Sequence, residues 1–106
     1  MKEYTATVTE INPDFTFQAQ IDLGFGQSIS KLLKLRYNLE LVPDKKDKAL
    51  ALFSTLLGKE VTLRTFNKEE GLDIVPVQLE YLNHQKQNIN IIFELIALGY
   101  ASVPAR

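Results

Sequence analysis

Cysteine and tryptophan are absent from this chain of 106 residues, and histidine and methionine occur once each. Without cysteine there is no disulfide framework, no zinc-thiolate site and no thiol nucleophile. The single histidine, His84, falls in the polar stretch from Asn83 to Asn88 with no second histidine beside it, so an exposed loop position is expected rather than a metal ligand. No apolar run approaches the ~20 residues that a membrane-spanning helix needs; the longest, Ile89 to Leu98, is interrupted by Asn90 and Glu94. Met1 to Thr5 leads into an alternating pattern without the apolar core of a leader peptide, which gives the expectation of a cytoplasmic protein. An excess of charge of either sign is also missing. Lys+Arg number 12 against 13 Asp+Glu, a formal net charge of -1, which excludes a surface basic throughout but leaves room for a local basic patch.

What is present suits one small domain over residues 1–106, since a chain of this length buries about two-thirds of its unfolded surface and affords a single core. Tyr4, Ala6 and Val8 alternate with threonines through Ile11, a period-two strand signal. Asn12-Pro13-Asp14 supplies turn chemistry, and alternation resumes from Phe15 to Asp22, predicting an antiparallel hairpin that ends at Gly24-Phe25-Gly26. Ile29 to Leu35 reads as a third strand. Asp44 stands where an N-cap belongs, before a helix carrying Ala49, Leu52, Phe53 and Leu56 and closed by Gly58. Lys59 to Phe66 and Leu72 to Tyr81 read as two further strands around a turn at Asn67 to Gly71, with Pro76 marking an edge or a bulge. Ile89 to Leu98 reads as a second helix, stopped by Gly99. Five strands with a helix between the third and fourth give the order of an OB-type barrel: a mainly β fold, five-stranded, with two helices.

Particular residues add a resemblance. Ile21-Asp22-Leu23-Gly24-Phe25-Gly26, then Gly58-Lys59-Glu60-Val61-Thr62-Leu63, then Asn90 through Leu98-Gly99-Tyr100-Ala101, in that order, resemble the staphylococcal nuclease-like (thermonuclease) family over nearly the whole chain. The resemblance implies an OB-type nuclease fold and calcium-dependent hydrolysis of phosphodiesters in DNA and RNA. In such a site aspartates hold the metal, a glutamate activates water and two arginines offset charge on the phosphate.

Carried over residue by residue, these motifs are incomplete. The family pattern R-x-x-x-x-D-x-P-E falls on Arg36 to Asp44: Arg36 and Pro43 match, Asp44 replaces the glutamate, and Leu41 replaces a metal aspartate. Near the first hairpin either Phe15 takes a metal aspartate's place, or Asp14 is the ligand and an inserted residue is absorbed as a bulge. The second arginine falls on Gly71, in a turn whose only cation is Lys68 and which carries Glu69 and Glu70. The resemblance therefore leaves Arg36 and Asp44 as catalytic remnants, for which an ordinary salt bridge between the third strand and the first helix is the simpler reading, and N-capping explains Asp44 as well as catalysis does. It leaves Asp14 as the candidate calcium ligand.

Lys31 and Lys34, with Lys68, are candidate contacts to a nucleic-acid backbone, and Tyr37 or Phe25 offers a ring for stacking on bases. The expectation from sequence is a catalytically degenerate nuclease-like domain acting as a binding module for single-stranded nucleic acid or a protein partner, with self-association left open and no cofactor. The alternative is a weak calcium-dependent nuclease built on Asp14, Arg36 and Asp44.

Overall fold

The computed structural model describes residues 1–36 and 40–102, apart from the side chain of Asn67. In chain order the elements are β1 (Lys2–Ile11), β2 (Phe17–Gly24), β3 (Gln27–Leu35), β4 (Glu40–Leu41), α1 (Lys46–Ser54), β5 (Glu60–Thr65), β6 (Val75–Leu82), β7 (Asn88–Asn90), α2 (Ile91–Ala97) and β8 (Ala101–Ser102). Strand side chains alternate between faces, and the buried members of the predicted alternation form one interior: Ala6 and Val8 from β1, Phe17, Ala19 and Ile21 from β2, Val61 and Leu63 from β5, and Val75, Val77 and Leu79 from β6. β3 departs from this pattern. Only Leu33 is buried along it, whereas Ile29 is 41% exposed.

Sheet order is β3-β2-β1-β5-β6, and a parallel pairing of β3 with β6 closes these five strands into a ring, the barrel expected from the sequence. β1–β2, β2–β3, β1–β5 and β5–β6 are antiparallel. The closing junction is short: Leu33, Lys34 and Leu35 face Val75, Pro76 and Val77. β5 pairs with β6 only from Gln78 to Glu80, so Pro76 sits where β6 has β3 as its single strand neighbour, a position that tolerates a missing N–H.

One end of the barrel is plugged by α1. Phe53 is fully buried, stacks on Phe15 at 5.7 Å and meets Phe17 edge-on at 5.3 Å, which ties the helix to the β1–β2 turn. The exit of the helical segment is pinned to β1, where Gly58 N donates to Val8 O at 2.7 Å and Val8 N to Lys59 O at 3.1 Å. Gly58 has φ of 79°, a conformation glycine adopts without Cβ strain. The β1–β2 register shifts between Val8 and Glu10 at this same place.

Several sequence-based boundaries move. Asp44 is not a helix N-cap: Pro43–Lys45 form one 3-10 turn ahead of α1, Asp44 lies inside it, and α1 starts after Lys45 without a side-chain cap. Pro43, with its fixed φ, opens that extra turn and takes the entry position one step early. β2 starts at Phe17, because Phe15 has φ of 68° in the turn. β6 starts at Val75, not Leu72. The second helix starts at Ile91: Asn90 is extended (φ -81°, ψ 121°) and its side chain accepts from Ile92 N at 3.0 Å, so Asn88–Asn90 remain a strand beside β6.

α2 buries Ile91, Ile92 and Leu95 and is tied to β6 by a hydrogen bond from the Tyr81 hydroxyl to the Glu94 carboxylate. Burial first, then the bond to Glu94, raises the Tyr81 pKa above its ordinary 10.0. A raised folded-state pKa contributes stability that is complete below the unfolded value and is lost as pH rises past it. Chemical denaturation across alkaline pH is therefore expected to show stability falling above about pH 10, with a shallower fall in Tyr81→Phe; identical slopes in the two proteins would contradict this assignment.

Candidate functional site

The residues that the nuclease resemblance marks out are not brought together: Arg36 and Asp14 have other partners and Asp44 is exposed. Arg36, at the end of β3, donates from its backbone N to Val77 O at 2.8 Å. Its guanidinium meets the Glu69 carboxylate at 2.5 Å and lies 4.0 Å over the Phe66 ring. No hydrogen bond or ion pair joins it to Asp44, so the expected Arg36–Asp44 salt bridge is not formed; Glu69, on the turn between β5 and β6, supplies the counter-charge. Asp44 is exposed and its side chain makes no hydrogen bond or ion pair among the described residues.

Asp14 is fully exposed in the β1–β2 turn. Its carboxylate accepts from Thr16 Oγ1 at 2.6 Å and from Thr16 N at 3.0 Å, and these bonds, the hydroxyl first, hold its pKa below the ordinary value. This is an Asx turn, which explains the aspartate without a metal. No three histidine, aspartate or glutamate side chains come together among the described residues. A hard cation such as calcium asks for about six to eight oxygen ligands, and Asp14 with its single threonine partner does not fit that requirement.

The two acidic residues of the β5–β6 turn are both engaged. Besides Glu69, Glu70 accepts from the Tyr4 hydroxyl at 3.1 Å and from Thr65 Oγ1 at 2.5 Å, with the Lys2 ammonium at 4.0 Å. Arg64, on β5, bridges Glu3 at 3.2 Å and the nearly buried Glu80 at 2.5 Å, and Asn88 donates to the second oxygen of Glu80 at 2.9 Å. Lys34 and Lys68 are exposed, Lys31 is half-buried, and Tyr37 lies outside the described residues.

The end of the barrel opposite α1 carries the feature that the sequence reading missed. A pocket of about 180 Å³ opens there. Its walls are Ile21 and Leu23 from β2, Ile29 and Leu33 from β3, and Val75 from β6; Tyr4, Thr65, Lys31 and Glu70 bring the polar groups. Leu23 and Ile29 remain 48% and 41% exposed, and Leu72 and Ile74, on the loop between the lining residues Glu70 and Val75, are exposed as well. Cofactor- and drug-sized sites occupy roughly 300–1,000 Å³, so this volume suits one or two side chains rather than a nucleotide cofactor.

Charge within the pocket is unequal in its commitments. The Glu70 carboxylate is held by two hydroxyls and Lys2, whereas the Lys31 ammonium has no ion pair among the described residues. Lys31 pairs across the sheet with Ala19 and belongs to the inward-facing series Ile29, Lys31, Leu33. That signal was present in the alternation: a lysine in register with core positions requires an opening for its charged end.

At the tip of the β2–β3 hairpin Phe25 is fully exposed and has φ of 54°, followed by Gly26 at 75°. Two consecutive positive φ values make the tight primed turn that such hairpins favour, and asparagine or glycine fills it without strain. A phenylalanine there costs about 1 kcal/mol or more in backbone energy and contributes no packing to the fold. No protein-family model matches the chain, and no curated protein or solved structure matches it. Phe25→Asn should leave the fold intact and raise stability in urea unfolding by up to about 1 kcal/mol; a loss of stability would show that the ring packs against the protein.

Proposed function

We propose that this protein is a non-catalytic binding module whose ligand site is the open barrel mouth and whose ligand is an apolar segment of a partner protein. The observation that supports this most strongly is the mouth itself: an aliphatic pocket of side-chain size with Leu23, Ile29, Leu72 and Ile74 exposed on and around it. Clustered exposed apolar residues around a concave site mark interaction surfaces on soluble proteins. The strained, fully exposed Phe25 beyond Leu23 adds an aromatic of the kind that anchors protein interfaces. A fold costs stability when it keeps such a residue in such a conformation, and binding is the compensation this reading offers.

The polar chemistry favours the same direction. A transition-state clamp on phosphate needs a free arginine, yet Arg36 and Arg64 are both committed to carboxylates, which leaves only lysines such as Lys31, Lys34 and Lys68 without an ion pair among the described residues. Hydrolysis of a phosphodiester with calcium needs a ligand set and a freed arginine, whereas Asp14 is held by Thr16, Arg36 by Glu69, and Asp44 is exposed with no bond to either of them among the described residues. The resemblance to staphylococcal nuclease-like proteins is compatible with this reading as the likeness of a scaffold whose site has changed use.

The test is selection of a phage-displayed random-peptide library on the immobilised full chain and, in parallel, on the Leu23→Asp/Ile29→Asp variant. Fluorescence anisotropy and gel assays with single-stranded and duplex DNA in calcium, magnesium and EDTA complete it. Aliphatic peptides enriched on the wild-type chain and lost on the variant, with intact DNA throughout, are the expected result. Steeply salt-dependent DNA binding without peptide enrichment would overturn the reading in favour of a nucleic-acid module. Metal-dependent cleavage abolished in Arg36→Ala would overturn it in favour of a nuclease.

A further inference from the structure

Resting on the reading of the mouth as a protein-binding site, we infer that the partner segment enters as an added β-strand along the free edge of β3, with alternate side chains directed into the pocket and one carboxylate set against Lys31. Three observations on the same few residues carry this.

The first is backbone. β2 covers one edge of β3 from Gln27 to Leu33, but β6 covers the other edge only from Leu33 to Leu35. Over residues 27–32 no second strand pairs with β3 among the described residues. Upstream of Val75 the chain leaves strand geometry, with residues 70–74 in turns and bends, so they do not continue the line of β6 along that edge. An unpaired edge offers a row of N–H and C=O groups to an incoming extended segment.

The second is side-chain direction. Ile29 and Lys31, on the uncovered stretch, face the pocket together with Leu33. A strand laid beside them in the same sheet presents every second side chain to the same face. Its inward residues therefore reach the space between β3 and Val75, where a pocket of about 180 Å³ accepts one or two of them.

The third is charge. Lys31 is the one pocket group with an uncommitted charge among the described residues, since Glu70 already holds two hydroxyls and Lys2. An inward-pointing lysine on an edge strand also discourages indiscriminate edge pairing, because an apolar strand would bury its ammonium unpaired. A strand carrying aspartate or glutamate at the facing position removes that penalty, so the lysine selects the partner as well as protecting the edge.

The probe is a short synthetic peptide alternating valine and threonine, with one aspartate among the valines, together with two versions N-methylated at alternate backbone nitrogens. Isothermal titration should show binding that one N-methylated series weakens about tenfold or more while the other leaves it unchanged, because only alternate N–H groups face the edge. Lys31→Glu should weaken the aspartate peptide about tenfold and prefer a peptide with lysine in place of the aspartate. N-methylation affects the ligand alone and is independent of any effect of the variant on folding. If both methylated series bind as the parent does, or Lys31→Glu does not alter the preference, strand addition is wrong; a loss of the same peptide's binding in Leu23→Asp would show that the mouth still binds. A parent peptide that does not bind overturns strand addition outright, and peptide selection on the full chain decides separately whether the mouth reading survives. Concentration-dependent dimerisation abolished by Lys31→Glu would mean that a second copy of this chain takes the edge, and would also overturn the proposal.

Discussion

The three-residue parallel junction between β3 and β6 is the constraint on which the rest of the molecule depends. Among the described residues, Leu33 to Leu35 against Val75 to Val77, continued by the bond from Arg36 N to Val77 O, closes the ring. A parallel neighbour cannot follow through a tight turn, and here the chain passes through α1 and β5 before β6 returns to β3. The route places α1 under one end of the barrel, where Phe53 fills the interior against Phe15 and Phe17. It leaves the first two-thirds of β3, at the other end, paired with β2 alone among the described residues. The pocket, the exposed aliphatic rim and the half-buried Lys31 all lie on that uncovered stretch or border it.

Polar residues follow from the same geometry. The β5–β6 turn crosses near the closing seam, and its two glutamates each hold something in place: Glu69 takes Arg36 at the end of β3, and Glu70 gathers Tyr4, Thr65 and Lys2 from the starts and ends of β1 and β5. Arg64 joins Glu3 to Glu80 across the adjacent strands. Partly buried pairs of this kind fix geometry more than they add stability. They also occupy the arginines that a phosphate site would require. Around the β5–β6 turn the charges are thus paired with one another, whereas Lys31 at the mouth carries no ion pair among the described residues.

Much of the barrel is legible in the sequence because strand burial has a period of two residues. Tyr4, Ala6 and Val8, then Phe17, Ala19 and Ile21, then Val61 and Leu63 announce which face is interior, and the structure places those faces inward. Boundaries are less legible where a local device overrides the pattern. Pro43 adds a 3-10 turn that displaces Asp44 from the cap, and Asn90, extended and capping α2, keeps Ile89 in a strand although the apolar run suggests a helix. The ion pairs are illegible for a different reason: Arg36 and Glu69 are 33 residues apart, and only the closed ring brings them together. Lys31 lies between these cases. Its inward register can be read from Ile29 and Leu33, but that it faces an opening follows from where β6 stops.

The most direct measurement of the central claim is backbone amide hydrogen exchange on the ligand-free protein, resolved by NMR along β3. The account predicts strong protection at the closing junction, Leu33 to Leu35, and alternating protection from Gln27 to Leu32, where only the amides facing β2 are bonded. Uniform protection along the whole of β3 would contradict it, because the edge would then already be covered and the mouth would not be open.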